Sequence, residues 1–171
     1  QWIHNCFDPI AATLRGAVAD LDEQGAGHDE RAANCLLYLG VVQARQEEFE
    51  EAAASLGRAM TIFEAAREQD DVKIAAARGH LARALLQLGQ TDRANELFEQ
   101  ALPVLERLRP GHLVLAQVSN AYGVHLLKRS PEEARPYVLR ARDIVESLGG
   151  GRRPFLLMET VGEPMPTPDE H

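Results

Sequence analysis

The stretch Arg78–Gln87, RGHLARALLQ, sets a histidine and two arginines among alanines and leucines. A histidine with its ordinary pKa can pass a proton or hold a metal, and an arginine can grip a carboxylate. Both kinds of chemistry need company. Histidines stand at positions 4, 28, 80, 112, 125 and 171, and no two of them have HxxxH or HExxH spacing. Around His80 no carboxylate, thiol or second histidine falls at helical ligand spacing, so neither a metal site nor a catalytic base is assigned there. GGGRRP at 149–154 has neither the strand nor the lysine-hydroxyl pair of a phosphate loop, and reads as a joint. The acids of EEFEE at 47–51 open a helix, where the dipole favours negative charge and water solvates it. No Ser-His-Asp or Cys-His arrangement emerges. The expectation is a non-enzymatic chain with no cofactor and no metal.

Composition narrows the class. The chain has 171 residues, 26 acidic and 18 basic, for a formal net charge of −8. That balance disfavours direct nucleic-acid binding by the chain as a whole. Hydrophobic content is 45% but aromatic content only 5%, so alanine and leucine carry the apolar surface, as suits close-packed helices. No apolar run approaches the roughly 18–20 residues that span a membrane. Cys6 and Cys35 fall on different levels of the helical pattern, so no disulfide is expected and both read as small core filler. Two scattered thiols fit a reducing, cytoplasmic setting.

The elements that position these residues repeat. In EEFEEAAASLGRAMTIF (47–63), GQTDRANELFEQALPVL (89–105) and RSPEEARPYVLRARDIV (129–145), aligning Ala52, Ala94 and Ala134 brings together Leu56, Phe98 and Val138, then Ala59, Ala101 and Ala141. The offsets are 42 and 40 residues. Small, large and small residues at these intervals share one helix face, and the alanines let a neighbour approach. Leu14, Ala17 and Leu21 continue the pattern backwards. A second helical pattern precedes each of the last three copies. The expected helices are therefore near 8–24, 29–46, 48–68, 71–88, 91–108, 112–129 and 131–148. Asp8-Pro9 reads as a helix start, Ser130-Pro131-Glu132-Glu133 as another with a capping-box acid. The GAG of 25–27, Gly89 and the RPG of 109–111 mark ends. Pro103 and Pro136 should bend or bound their helices.

Helix pairs at a constant period predict an all-α fold, a right-handed superhelical α-solenoid of antiparallel pairs with about three and a half repeats. One repeat domain would cover 1–148, with repeats near 29–68, 71–108 and 112–148 after a half repeat at 8–24, followed by a Gly/Pro-rich tail at 149–171. The first helices of the pairs supply three aligned stripes. The first holds Arg31, Asn34, Tyr38, Val41 and Arg45; the second Lys73, Ala76, His80, Arg83 and Gln87; the third Leu113, Ala116, Asn120, Gly123 and Leu127. Together they predict a groove floor that is basic and polar on one side and small and apolar on the other. Arg45, Lys73 and Arg83 would suit an acidic segment or a free C-terminal carboxylate. Asn34 and Asn120 could bond a peptide backbone, and Tyr38 offers a flat contact with a polar tip.

The chain resembles the tetratricopeptide repeats. YLGVVQARQEEFEEAAASLGRAM carries Leu39-Gly40, Ala52, Leu56 and Ala59 at the family's signature spacing. The next copy keeps Leu81, Ala82, Ala94, Phe98 and Ala101, and the last keeps Ala134 and Ala141 but has Ala121-Tyr122 where Leu-Gly would stand. The period of 40–42 exceeds the usual 34 and resembles kinesin-light-chain-type and bacterial-regulator repeats. In such long repeats a groove asparagine falls at Asn120, with Tyr38 and His80 in that slot of the other copies. The resemblance implies a scaffold that holds a protein or peptide in the groove of its first helices. A ligand-sensing module of a larger regulator and a self-associating structural array are the alternatives. Trp2, Ile3 and Phe7 are read as the remnant of a first helix or a cap over it, and Phe155–Val161 as either a loose tail or a packed segment.

Overall fold

Alanine- and leucine-rich segments separated by three- to six-residue breaks leave the backbone little alternative to helical hairpins. The computed structural model describes residues 4–66 and 71–149, with side chains from Phe7 onward. Among these residues every element is a helix: α1 His4–Glu23, α2 Glu30–Arg45, α3 Phe49–Ala66, α4 Val72–Gln87, α5 Thr91–Leu108, α6 Leu113–Leu127 and α7 Pro131–Ser147. The chain divides into two compact units, Gln1–Pro110 and Gly111–His171. In the first, α1 packs on α2, the hairpin α2–α3 packs on α4 through α3, and α4–α5 forms the next hairpin. The second holds the hairpin α6–α7. The fold is all-α and built of helix-pair repeats, as the period requires. Trp2, Ile3, the 149–154 joint beyond Gly149 and Phe155–Val161 lie outside the described residues, as does the side chain of Cys6.

Helix ends follow local chemistry. Asp29 caps α2, its carboxylate accepting from the N–H groups of Arg31 and Ala32, and Asp71 caps α4 through Lys73 N–H. After α1 and α4 the chain turns through Gly25 and Gly89 at φ of 71° and 73°, and the next residue bonds back over the turn, Ala26 N–H to Leu21 O and Gln90 N–H to Leu85 O. The same turn follows α2, with Glu48 N–H bonded to Gln43 O, but there a glutamate, Glu47, holds the left-handed φ of 63°.

Three expectations about helix ends are corrected. Asp8-Pro9 does not start α1, which begins at His4; Asp8 instead accepts a hydrogen bond from Gln46 Nε2, and the Pro9 ring stands exposed within the helix. Of the two alternatives for Pro103 and Pro136, bending or bounding their helices, the second is excluded, since both lie inside α5 and α7. Both rings are exposed, so water can satisfy the carbonyl each deprives of a partner. Ser130 precedes α7 without making a side-chain cap bond, so the capping box expected there is not formed.

Packing in the first unit centres on Val18, Ala33, Leu36, Ala59, Ile62, Phe63, Ile74 and Ala77, one cluster drawn from four helices. Phe63 and Phe98 are fully buried, each worth about 2–3 kcal/mol in apolar transfer. Gly40 lets α2 and α3 meet, since a Cβ there would stand 2.5 Å from Leu56 Cγ. In α6–α7 the equivalent close approach is at Gly123, whose Cβ would lie 2.7 Å from Val138 Cγ2. The small residue of the third pair is thus Gly123, one position beyond the Tyr122 that the period aligns with Gly40. The turn explains the slip. Lys128 has right-handed dihedrals, Ser130 N–H bonds Leu126 O at 2.8 Å, and no residue of 128–130 takes the left-handed conformation of Glu47 and Gly89.

Polar ties join successive repeats of the first unit. Arg58 of α3 reaches back to Asp22 of α1 and donates to Gly27 O at 3.0 Å. A Cβ at Gly27 would displace the Asp22 carboxylate from this arrangement. That Arg58 guanidinium holds the Asp22 carboxyl below the usual carboxylate range. Arg78 of α4, nearly buried, donates to Glu64 of α3 at 2.8 Å.

Candidate partner-binding face

The first helices of the first unit, α2 and α4, touch one another and carry eight of the nine residues expected to line a groove. On α2, Arg31 is exposed and folds back on Asp29, its Nη2 2.8 Å from Oδ2. Asn34 is half-buried, and its amide donates to Glu30 O at 2.8 Å, so that donor serves the helix. Tyr38 is 63% exposed, the most open of the large hydrophobic side chains described. Arg45, two turns further on, is only 7% exposed.

On α4, Lys73 is a tie between repeats. Its Nζ lies 2.6 Å from Glu30 Oε1 in the first turn of α2 and 5.6 Å from the centre of the Phe63 ring. Glu30 is the member that the sequence reading leaves out. Its signal is the separation of 43 residues from Lys73, one more than the repeat of 42, on helices that must lie side by side. Ala76 and His80 are buried, Arg83 is half-buried and Gln87 exposed. So much of α4 is covered because it packs against α2, α3 and α5.

The site therefore has a buried floor and an open rim. Burial, followed by the charges of Arg83 and then Arg45, pulls the His80 pKa down from 6.5 to about 3. His80 is neutral at physiological pH, flanked by two permanent cations. A neutral imidazole spares the site a third buried positive charge. Among the described residues no three metal-binding side chains converge, and no helix is long and apolar enough to cross a membrane.

Asn120 lies apart from these residues in sequence and unit. It is buried in α6, and Gly123, expected on the groove stripe, faces Val138 of α7 instead. Counting back from the close-approach residue, Asn120 matches Leu37 and Gly79, one position off the Tyr38/His80 slot. The slip comes from the different turn at 128–130.

Comparison with known proteins agrees with this geometry. The Tetratricopeptide repeat family model matches residues 31–107, the span from α2 to the last turn of α5. Among solved structures, the crystal structure of BtubC (BKLC) from P. vanneervenii is similar, with a TM-score of 0.65 and 22% identity. The likeness covers 85% of this chain and 58% of that one, and at this identity it speaks to the fold. No curated protein sequence matches the chain. Helix pairs joined at Gly40–Leu56, a repeat of about forty residues and the matched family model lead to one conclusion: residues 31–107 form tetratricopeptide-type repeats, an architecture generally used for protein–protein interaction.

Proposed function

We propose that the chain is a non-enzymatic scaffold whose α2–α4 face binds a protein or peptide segment bearing acidic side chains or a free C-terminal carboxylate. One observation carries this reading: Tyr38, a large aromatic left 63% exposed, stands on the same helix stripe as Arg45, whose charge acts with that of Arg83 on the buried His80. An exposed tyrosine on a stripe that also carries buried positive charge supplies what a peptide anchor needs, a flat apolar surface and charge held out of bulk water. A carboxylate reaching Arg83 would gain a charge-assisted hydrogen bond in a site drier than the surface. Arg31 and Gln87 are exposed at the rim and extend the contact. The Asn34 amide is engaged by its own helix, and Lys73 ties α4 to α2 through Glu30.

The test is an array of short acidic peptides, each with a free and an amidated C-terminus, probed with the intact chain and with Tyr38→Ala and Arg83→Glu. Peptides retained by the intact chain are expected to lose at least about tenfold in affinity with either variant, the loss typical of one anchor residue. Equal retention by all three proteins would remove this face from the account. Arg45 is left intact because reversing a charge that is 7% exposed would disturb the fold itself.

A further inference from the structure

We infer that the α2–α4 face selects its ligand by the order of charge. It takes an extended peptide whose acidic side chain stands three residues from an aromatic or leucine anchor, with no acid on the other side of that anchor. The inference rests on the function proposed above and adds a polarity and a spacing to it. Polarity comes from how charge is laid out along the two helices. The contact of Lys73 Nζ with Glu30 Oε1, at 2.6 Å, sets the N-terminal ends of α4 and α2 side by side. At that end Arg31 Nη2 also lies 2.8 Å from Asp29 Oδ2, so both cations are matched by carboxylates. Asp71, which caps α4, adds a third acid against the two cations. A ligand carboxylate arriving there meets more negative than positive charge. Further along stand Tyr38, then half-buried Arg83 and buried Arg45, whose charges both act on His80. Of the acids that follow α2, Glu48 lies 3.8 Å from Arg15 of α1.

Helix geometry sets the spacing. Tyr38 and Arg45 are two turns apart on one side of α2, about 10.5 Å along its axis. Arg83 lies three residues beyond His80, the residue one period of 42 after Tyr38. That is about 4.5 Å of rise combined with one spacing of about 8–10 Å between packed helices, so about 10 Å in all. Either path from Tyr38 to positive charge is covered by three residues of an extended peptide, at about 3.3 Å each. In the other direction Glu30 and Asp29 precede Tyr38 by about 12–13.5 Å, within four or so extended residues. Acid on that side of the anchor is repelled.

The probes are twelve-residue glycine-serine peptides with both ends blocked, each carrying one phenylalanine and one aspartate at separations of one to six, in both chain directions. Affinities for the full chain are read by NMR titration, which follows weak binding. A separation of three is expected to bind at least about fivefold tighter than one or six in at least one direction, and Tyr38→Ala and Arg83→Glu should each erase that preference. A second aspartate four residues beyond the phenylalanine should weaken binding about two- to threefold, and Glu30→Gln, which keeps an acceptor for Lys73, should remove that penalty. The peptide series leaves the protein untouched, so it decides the matter if a variant folds poorly. Equal affinity at every separation, a peak elsewhere, or a second aspartate that strengthens binding would overturn the charge order while leaving the proposed function in place. Binding that ignores both Tyr38→Ala and Arg83→Glu would remove the face, and the proposed function with it. Absence of binding by every peptide would overturn the inference as well.

Discussion

His80 is the residue where sequence and structure pull hardest in different directions. In sequence it invites thoughts of proton transfer; in place it is buried between two arginines with its pKa near 3. Between pH 6.5 and about 3 the unfolded chain binds a proton there that the folded chain does not, so stability falls as pH drops through that window. Half-buried His125 is shifted the same way, by burial first and then by Arg129 and Lys128. Urea unfolding at pH 7 and pH 5 should show a loss of about 1–2 kcal/mol from His80 on acidification. His80→Gln should remove most of that dependence; an unchanged slope would mean that the ring is solvated. Tyr38→Ala, at an exposed position, should leave the melting temperature within about 2 °C while lowering partner affinity. The stripe spacing of 31, 38, 73, 80 and 83 was enough to place these residues on the two first helices. Their burial was not legible, because it depends on how many neighbours each helix acquires.

At the scale of elements, the turns and crossings carry the informative strain. Glu47 holds a left-handed φ of 63° where the equivalent turn has Gly89. Glu47→Gly should therefore stabilise the chain by about 1 kcal/mol in chemical denaturation, whereas no gain would place the cost elsewhere. Gly40→Ala forces a Cβ to 2.5 Å from Leu56 Cγ and should cost about 1–3 kcal/mol. Gly16→Ala, with open space around it, should instead be neutral or favourable by about 0.5–1 kcal/mol. Seven helices and most of their ends are readable from periodicity, glycine and capping aspartates. The start of α1 is not, because Asp8-Pro9 has the local form of a cap while the exposed ring is tolerated within a longer helix. The register of α6 is hidden for a similar reason. Nothing in Lys128-Arg129-Ser130 announces a turn without a left-handed residue, and that turn moves the close approach to Gly123.

For the molecule as a whole, the contrast lies between a net charge of −8 and a first-helix face where the charges of Arg45 and Arg83 both act on His80. An acidic partner should find that face despite repulsion from the rest of the chain, and its affinity should fall as salt rises from about 0.05 to 0.5 M. The RPG of 109–111, legible as a break between helix pairs, is also where the two compact units divide. The period makes the repeat architecture plain. Partner identity is not written in it, since the packing residues that define the period are the ones a partner never touches. The most direct measurement is quantitative affinity capture from source lysate with the intact chain and a folded Tyr38→Ala/Arg83→Glu variant side by side. The account predicts that at least one protein retained by the intact chain is lost from the variant, and lost again in high salt. The same proteins in the same amounts on both would contradict it.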